Sequence, residues 1–295
     1  TKSSKPGLSA AVGWRTRGAS GGVSVQSAAG RSGTLDTQVV SGKDGRVGVR
    51  GVRRSGNRAA DAQKNELKPW LKQMWCLPAQ ADGEFVYHME DVLDVYQRPY
   101  DPLHPTVCMD ELSKQLVGEV AEPLPLEGGQ PRRYDYEYVR QGVSNLFMFF
   151  EPLVGQRVVK VTDRRTKIDW AYAVRDLVDV HYPDAQTITL VMDNLNTHSL
   201  GSLYEAFEPA EAKRIADRLE IHHTPKHGSW LNMAEMELSV LARQCLDRRI
   251  PEAALLKRYV TAWQTRRNQA QVKVDWRFTT ADARIKLKRL YPSIQ

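Results

Sequence analysis

Cysteine is scarce in this chain: Cys76, Cys108 and Cys245 are the only three in 295 residues, far apart and odd in number. No CxxC pair occurs, so neither a disulfide framework nor a cysteine zinc site is implied, and a reducing cytoplasm is the expected compartment. Long hydrophobic runs are missing too. The longest apolar patch, residues 146–150, is strand-length and well short of the roughly 18 residues a membrane span needs. No apolar stretch follows the basic residues at the N-terminus, as a signal peptide would require. A membrane role is therefore not expected. Acidic residues are sparse in residues 1–62, where about 11 Lys/Arg face about 3 Asp/Glu. The formal charge of +7 sits almost entirely there. A nucleic-acid surface on the remainder must come from local clustering rather than net charge.

What is present is ordinary for a globular protein, with 41% hydrophobic and 26% charged residues. The length allows one large domain or two modest ones. Residues 1–62 stand apart. They hold about a dozen of the 20 glycines, many serines and arginines, and single valines without period. Such a composition buries too little apolar surface to offset ordering entropy, so the segment reads as disordered, or as a basic nucleic-acid-binding arm. Residues 63–104 read as a linker and helical lead-in, with Phe85, Met89, Val92, Leu93 and Tyr96 at helical spacing over 84–96.

From Pro105 the pattern becomes strands, helix, strand, helix, strand, helix. Residues 105–110 read as a short buried strand ending on Asp110, and 114–120 as a second strand after a tight turn. Two more are expected over 143–162, separated by Pro152 and Gly155. A helix is expected over 168–180, a β-branched strand over 187–193 ending on Asp193, and a helix over 202–219. A short edge strand over 220–224 and a helix over 231–246 follow. This order predicts an α/β fold, a mixed sheet with helices on both faces over 105–250. Residues 251–295 read as C-terminal basic amphipathic helices.

Two strands that each end on an aspartate suggest chemistry, because functional groups in α/β sheets gather beyond strand ends. A third carboxylate on a nearby helix would complete a cage of hard oxygen ligands suited to Mg²⁺ or Mn²⁺. Two such ions about 3.5–4 Å apart serve phosphodiester cleavage by stabilising both attacking and leaving oxygens. An aspartate at a strand end is also a common cap or turn residue. Glu235 and Glu237 both flank the apolar stripe of the last helix, and periodicity does not choose between them. Glu111, adjacent to Asp110, is expected on the opposite strand face as a turn or salt-bridge residue. His222, His223 and His227 do not read as a zinc set, since Thr224-Pro225 breaks any helix that would hold the last two together.

Three segments carry a resemblance. Cys108-Met-Asp-Glu111, Val191-Met-Asp-Asn-Leu-Asn-Thr-His198 and Pro225-Lys-His-Gly-Ser-Trp-Leu-Asn-Met-Ala-Glu235 resemble the three catalytic blocks of the Tc/mariner superfamily of DDE transposases. They look most like its bacterial insertion-sequence branch, as does Val274-Asp-Trp-Arg-Phe-Thr-Thr-Ala-Asp-Ala-Arg284. The resemblance implies a ribonuclease-H-like fold and a catalytic, metal-binding triad of Asp110, Asp193 and Glu235, with Asn232 selecting Glu235 over Glu237. It implies Mg²⁺ or Mn²⁺, two ions, and metal-dependent cleavage of DNA ends followed by strand transfer. The implied partners are double-stranded DNA, as terminal inverted repeats and target, and a second copy in the reacting complex. Asn194, His198 and Asn232 are candidates for orienting the carboxylates. Lys226, His227, Trp230, Arg164, Arg165 and Arg243 are candidates for DNA contact, with Lys160, Arg248 and Arg249 as further cations.

Two departures accompany the resemblance. Asp193 and Glu235 lie 42 positions apart, longer than the mid-thirties spacing usual in mariner relatives. The family's N-terminal helix-turn-helix modules have no counterpart in 1–62, so a truncated or degenerate copy with out-of-frame sequence before Lys64 is expected. The competing readings are a catalytically silent remnant acting as a DNA-binding protein, and a ribonuclease-H-like nuclease or resolvase that cuts without joining.

Overall fold

The computed structural model describes residues 77–293, apart from 79, 122, 125–127, 130–132, 134 and 196–197. It also describes the backbone of six strands within 10–75. Two compact units result: Tyr100–His222 with Asn232–Gln271, and Thr1–Pro99 with His223–Leu231 and Val272–Gln295.

In the second of these units the N-terminal strands are β1 (Ala10–Val12), β2 (Trp14–Arg17), β3 (Gly22–Val25), β4 (Gln38–Ser41), β5 (Val47–Gly51) and β6 (Lys72–Trp75). The backbones of β2 to β6 pair in sequence order as an antiparallel meander. The rest of 1–62, on which the reading of a disordered or degenerate segment depends, lies outside the described residues. Helix α1 (Gly83–Val95) starts where Asp82 accepts from the amides of Glu84 and Phe85, satisfying two orphan donors. Its apolar stripe, Phe85, Met89, Val92 and Leu93, is buried as the helical spacing predicts.

The other unit is built on a five-stranded mixed sheet. Its strands are β7 (Thr106–Glu119), β8 (Tyr138–Glu151), β9 (Gln156–Thr162), β10 (Ile188–Met192) and β11 (Leu219–His223). The spatial order is β11-β10-β7-β8-β9. Strands β7, β8 and β9 form an antiparallel meander, and β10 joins β7 in parallel with Val191 level with Cys108. The turn from β8 to β9 is tight, and Gly155 takes φ 74°, which an L side chain rarely adopts.

Helices cover both faces. On one face α2 (Lys167–Asp176), α3 (Gly201–Ala206) and α4 (Pro209–Ala216) bury Trp170, Val174, Leu203 and Ile215 against Val107, Met109, Phe147, Leu190 and Met192. On the other face α5 (Met233–Leu241) packs on β7 and β8, and α6 (Ala253–Gln269) on β9. This is the expected α/β architecture, a mixed sheet between helical layers.

Two expectations need correcting. The strands expected over 105–110 and 114–120 are one continuous strand, β7. Its polar middle, 111–114, looked like a turn but pairs residue by residue with 144–147 of β8. The helix expected over 202–219 is two helices. Proline at 209 has no amide to donate and drives the preceding Glu208 to an extended ψ of 148°, so α3 ends before it. Of the residues outside the described set, 196–197 fall inside the second of the three sequence blocks.

Candidate active site

The first block lies within β7, the second begins on the neighbouring β10, and the third ends in α5. Asp110 lies inside β7, two residues beyond Cys108; Asp193 lies in the loop after β10, two residues beyond Val191, the parallel partner of Cys108. The paired register ends at Val191 and Cys108, so each aspartate lies two residues beyond the last paired position. Glu235 stands in the first turn of α5.

Asn232 fixes where that turn begins. Its side-chain oxygen accepts from the Ala234 amide at 3.0 Å, capping α5, while its amide donates to the Met109 carbonyl at 2.9 Å. One buried side chain thus caps the Glu235 helix and hydrogen-bonds the residue preceding Asp110.

Electrostatics reports the same proximity. Burial first, then the negative charges of Asp193, Glu235 and Glu111, raise the Asp110 carboxyl to about 7, against the opposing hydrogen bond from the Glu111 amide. The three carboxylates offer hard oxygen donors, the chemistry that fits Mg²⁺ or Mn²⁺. Among the described residues, no three His, Cys, Asp or Glu side chains stand close enough together to hold a metal ion.

His198 is buried and contacts two carboxylates. Its Nδ1 lies 2.6 Å from Asp193 Oδ1, and its Nε2 lies 2.7 Å from Glu111 Oε1. Burial works against a charged ring, but the hydrogen bonds to Asp193 and Glu111 outweigh it and push the imidazole to about 9. Both ring nitrogens then donate. The Trp170 ring stacks on the imidazole, centroids 5.9 Å apart. Glu111 points to the face opposite Asp110, as strand alternation predicts, and its Oε2 lies 3.6 Å from the Arg165 guanidinium. The salt-bridge role expected of Glu111 is met by its ion pairs with His198 and Arg165. The signal that it belongs to the site is its place beside Asp110, but its partner 87 positions away becomes visible only in the fold.

The competing glutamate has a different environment. Glu237 is buried and bonds Arg157 of β9 at 2.7 Å and Arg267 of α6 at 2.5 Å. Arg157 is itself fully buried. This is a structural ion-pair network; Glu235, two positions away, is exposed.

The remaining candidates are spread out. Asn194 is exposed just after Asp193. Arg164 and Arg243 are exposed. Lys160 pairs with Asp176 at 2.6 Å, and Arg249 pairs with Glu119 and donates to the Glu137 and Asp135 carbonyls, so both have structural partners. The Arg248 guanidinium lies over the Tyr259 ring. Lys226, His227 and Trp230 belong to the other compact unit. There Trp230 stacks on Trp276 and meets Phe278 edge-on, His227 takes φ 64°, and a Cβ at Gly228 would stand 2.5 Å from the Pro225 ring.

Residues 105–257, just over half of the chain, match the family described as DDE superfamily endonuclease. No curated protein matches the chain. Among solved structures, a Mos1 transposase paired-end complex with left transposon end is similar at 12% identity and TM-score 0.47, over 72% of this chain and 66% of that one. A mariner Mos1 paired end complex with Mg is similar at 14% identity and TM-score 0.49, over 80% and 72%. The catalytic domain of Mos1 mariner transposase is similar at 12% and 0.42, over 64% and 85%. The chain thus spans slightly less than two thirds of the first of these. TM-scores below 0.5 at such identities are too low to decide activity.

Proposed function

Because the chain belongs to the DDE superfamily endonucleases, we propose that it is a transposase of the insertion-sequence branch, cutting DNA at an element's ends and joining them to target by phosphoryl transfer. Asp110, Asp193 and Glu235 are the metal-holding residues in this reading. The observation that carries it is the family match over residues 105–257, the span that contains all three carboxylates. A hard divalent cation, when bound, supplies charge neutralisation at the phosphoryl oxygens and activates the attacking hydroxyl. The chain's own part is positioning. The β7–β10 pairing brings the two segments that carry the aspartates side by side, and Asn232 holds the Glu235 helix against β7. Double-stranded DNA is the partner, with exposed Arg164, Arg243, Lys226 and His227 available to phosphates. A second copy in the reacting complex follows from the need to handle two ends, and action on cellular DNA goes with a cytoplasmic place. No described helix is long and apolar enough to cross a membrane.

The test uses end-containing oligonucleotides with Mg²⁺ or Mn²⁺. Asp110→Ala, Asp193→Ala and Glu235→Ala are each expected to lower cleavage by at least about 10³-fold, the scale of losing a main electrostatic stabiliser, while gel-shift affinity for the DNA survives. Joined products from pre-cleaved ends identify a transposase, whereas cleavage without joining identifies a nuclease or resolvase. Full cleavage by Glu235→Ala would overturn the assignment of the third carboxylate.

A further inference from the structure

Asp110 and Asp193 are held in unlike ways. Asp110 lies within β7, where the ladder pairs it with Met148 of β8. Asp193 lies past the end of β10, where the ladder no longer fixes it. Its carboxylate accepts from His198, five residues on in the same loop, and His198 in turn bonds Glu111. Glu111 is the next residue to Asp110 on the same strand but projects to the other face. A chain of two short hydrogen bonds therefore runs from Glu111 of β7 through His198 to Asp193. Both inner members are closed off from water: the side chains of His198 and Glu111 are 1% and 4% exposed, while that of Asp193 is 45% exposed. Trp170 stacks against the imidazole, and Arg165 lies near the second Glu111 oxygen, so the ring and the carboxylate each have a further neighbour limiting their orientation.

Resting on the metal-holding role given above to Asp110 and Asp193, we propose that Glu111 and His198 are positioning residues that tether the Asp193 carboxylate to β7 and so set its spacing from Asp110 for binding a divalent cation. Neither touches the ion or the DNA. Loop residues next to a catalytic carboxylate need such a tether because each rotamer freed there spreads the donor atoms over several positions. Outer partners of ligating groups typically change metal affinity by about 10–100-fold when removed.

The experiment titrates Mn²⁺ alone into the full-length chain by calorimetry, with thermal melting of the same samples. Glu111→Ala and His198→Asn are expected to weaken Mn²⁺ binding by about 10–100-fold. Glu111→Gln, whose amide oxygen still accepts from Nε2, is expected to fall between Glu111→Ala and the unaltered chain. A purely structural role predicts lower melting temperatures with Mn²⁺ affinity of the folded protein unchanged, and that result overturns the proposal. His198→Asn decides the matter if Glu111→Ala does not fold. If Asp193→Ala binds Mn²⁺ as tightly as the unaltered chain, the metal-site reading fails and the tether with it. If Asp193→Ala loses binding while Glu111→Ala and His198→Asn keep it, only the tether fails.

Discussion

At the scale of single residues, two glutamates on one helix show how burial separates roles that spacing leaves open. Glu237 sits between Arg157 and Arg267 with almost no exposure. Removing one partner of a buried pair leaves an uncompensated charge, so Glu237→Ala is expected to destabilise the protein by about 3–5 kcal/mol in urea unfolding. Glu235 is exposed in the first helical turn, so Glu235→Ala is expected to stay within about 0.5 kcal/mol of the original stability. The two substitutions should therefore separate stability from cleavage. If Glu237→Ala is as stable as the parent chain, the buried network does not matter in the way described. Periodicity placed both residues beside the same apolar stripe and could say no more, because the arginines that claim Glu237 come from β9 and α6, 80 and 30 positions away.

At the scale of elements, the start of α5 and the pairing of α1 with α7 (Thr280–Lys286) carry separate consequences. Asn232→Ala removes a cap and is expected to cost roughly 1–2 kcal/mol. Asn232→Ser keeps an oxygen for the Ala234 amide but no donor for the Met109 carbonyl. It should recover most of the stability and leave cleavage impaired; equal recovery of both would mean that only the cap matters. Between α1 and α7, Arg284 bonds Glu90 with both nitrogens, and Tyr291 adds a third bond. The Arg284 hydrogen bond, with those of Tyr291 and the arginine charge, outweighs burial and holds Glu90 below its ordinary value of 4.5. A depressed carboxyl stabilises the fold above about pH 4.5 and loses that contribution as pH falls through its folded value. The gap in melting temperature between the parent chain and Arg284→Ala should thus be full at neutral pH and narrow as the solution is acidified below about pH 4.5. A gap that persists unchanged in acid would assign Arg284 a packing role instead. Of these elements the helix α1 and the strand β10 were plain from periodicity. The continuous β7 was not, because its polar stretch is stabilised by β8 rather than by its own side chains.

At the scale of the whole molecule, charge is divided unequally along the chain. Residues 1–62 carry about +8 and the remainder is close to neutral. DNA affinity is therefore expected to fall steeply with salt for the full chain, and removal of 1–62 is expected to flatten the slope of log affinity against log salt. Parallel slopes would place the phosphate contacts elsewhere, on clustered cations of the remainder. What the amino-acid order determined without help is local: which segments alternate or repeat at helical spacing, where a proline or glycine interrupts, and which three blocks carry carboxylates. It also chose Glu235 through its resemblance to a known block. Only the tertiary structure brought Glu111 to His198, committed Glu237 to Arg157, and tied Asn232 to the strand of Asp110. Those contacts join residues 80 to 123 positions apart. Their partners are selected by strand register and helix packing, which depend on burial summed over the whole sheet and have no signature in any short window of sequence.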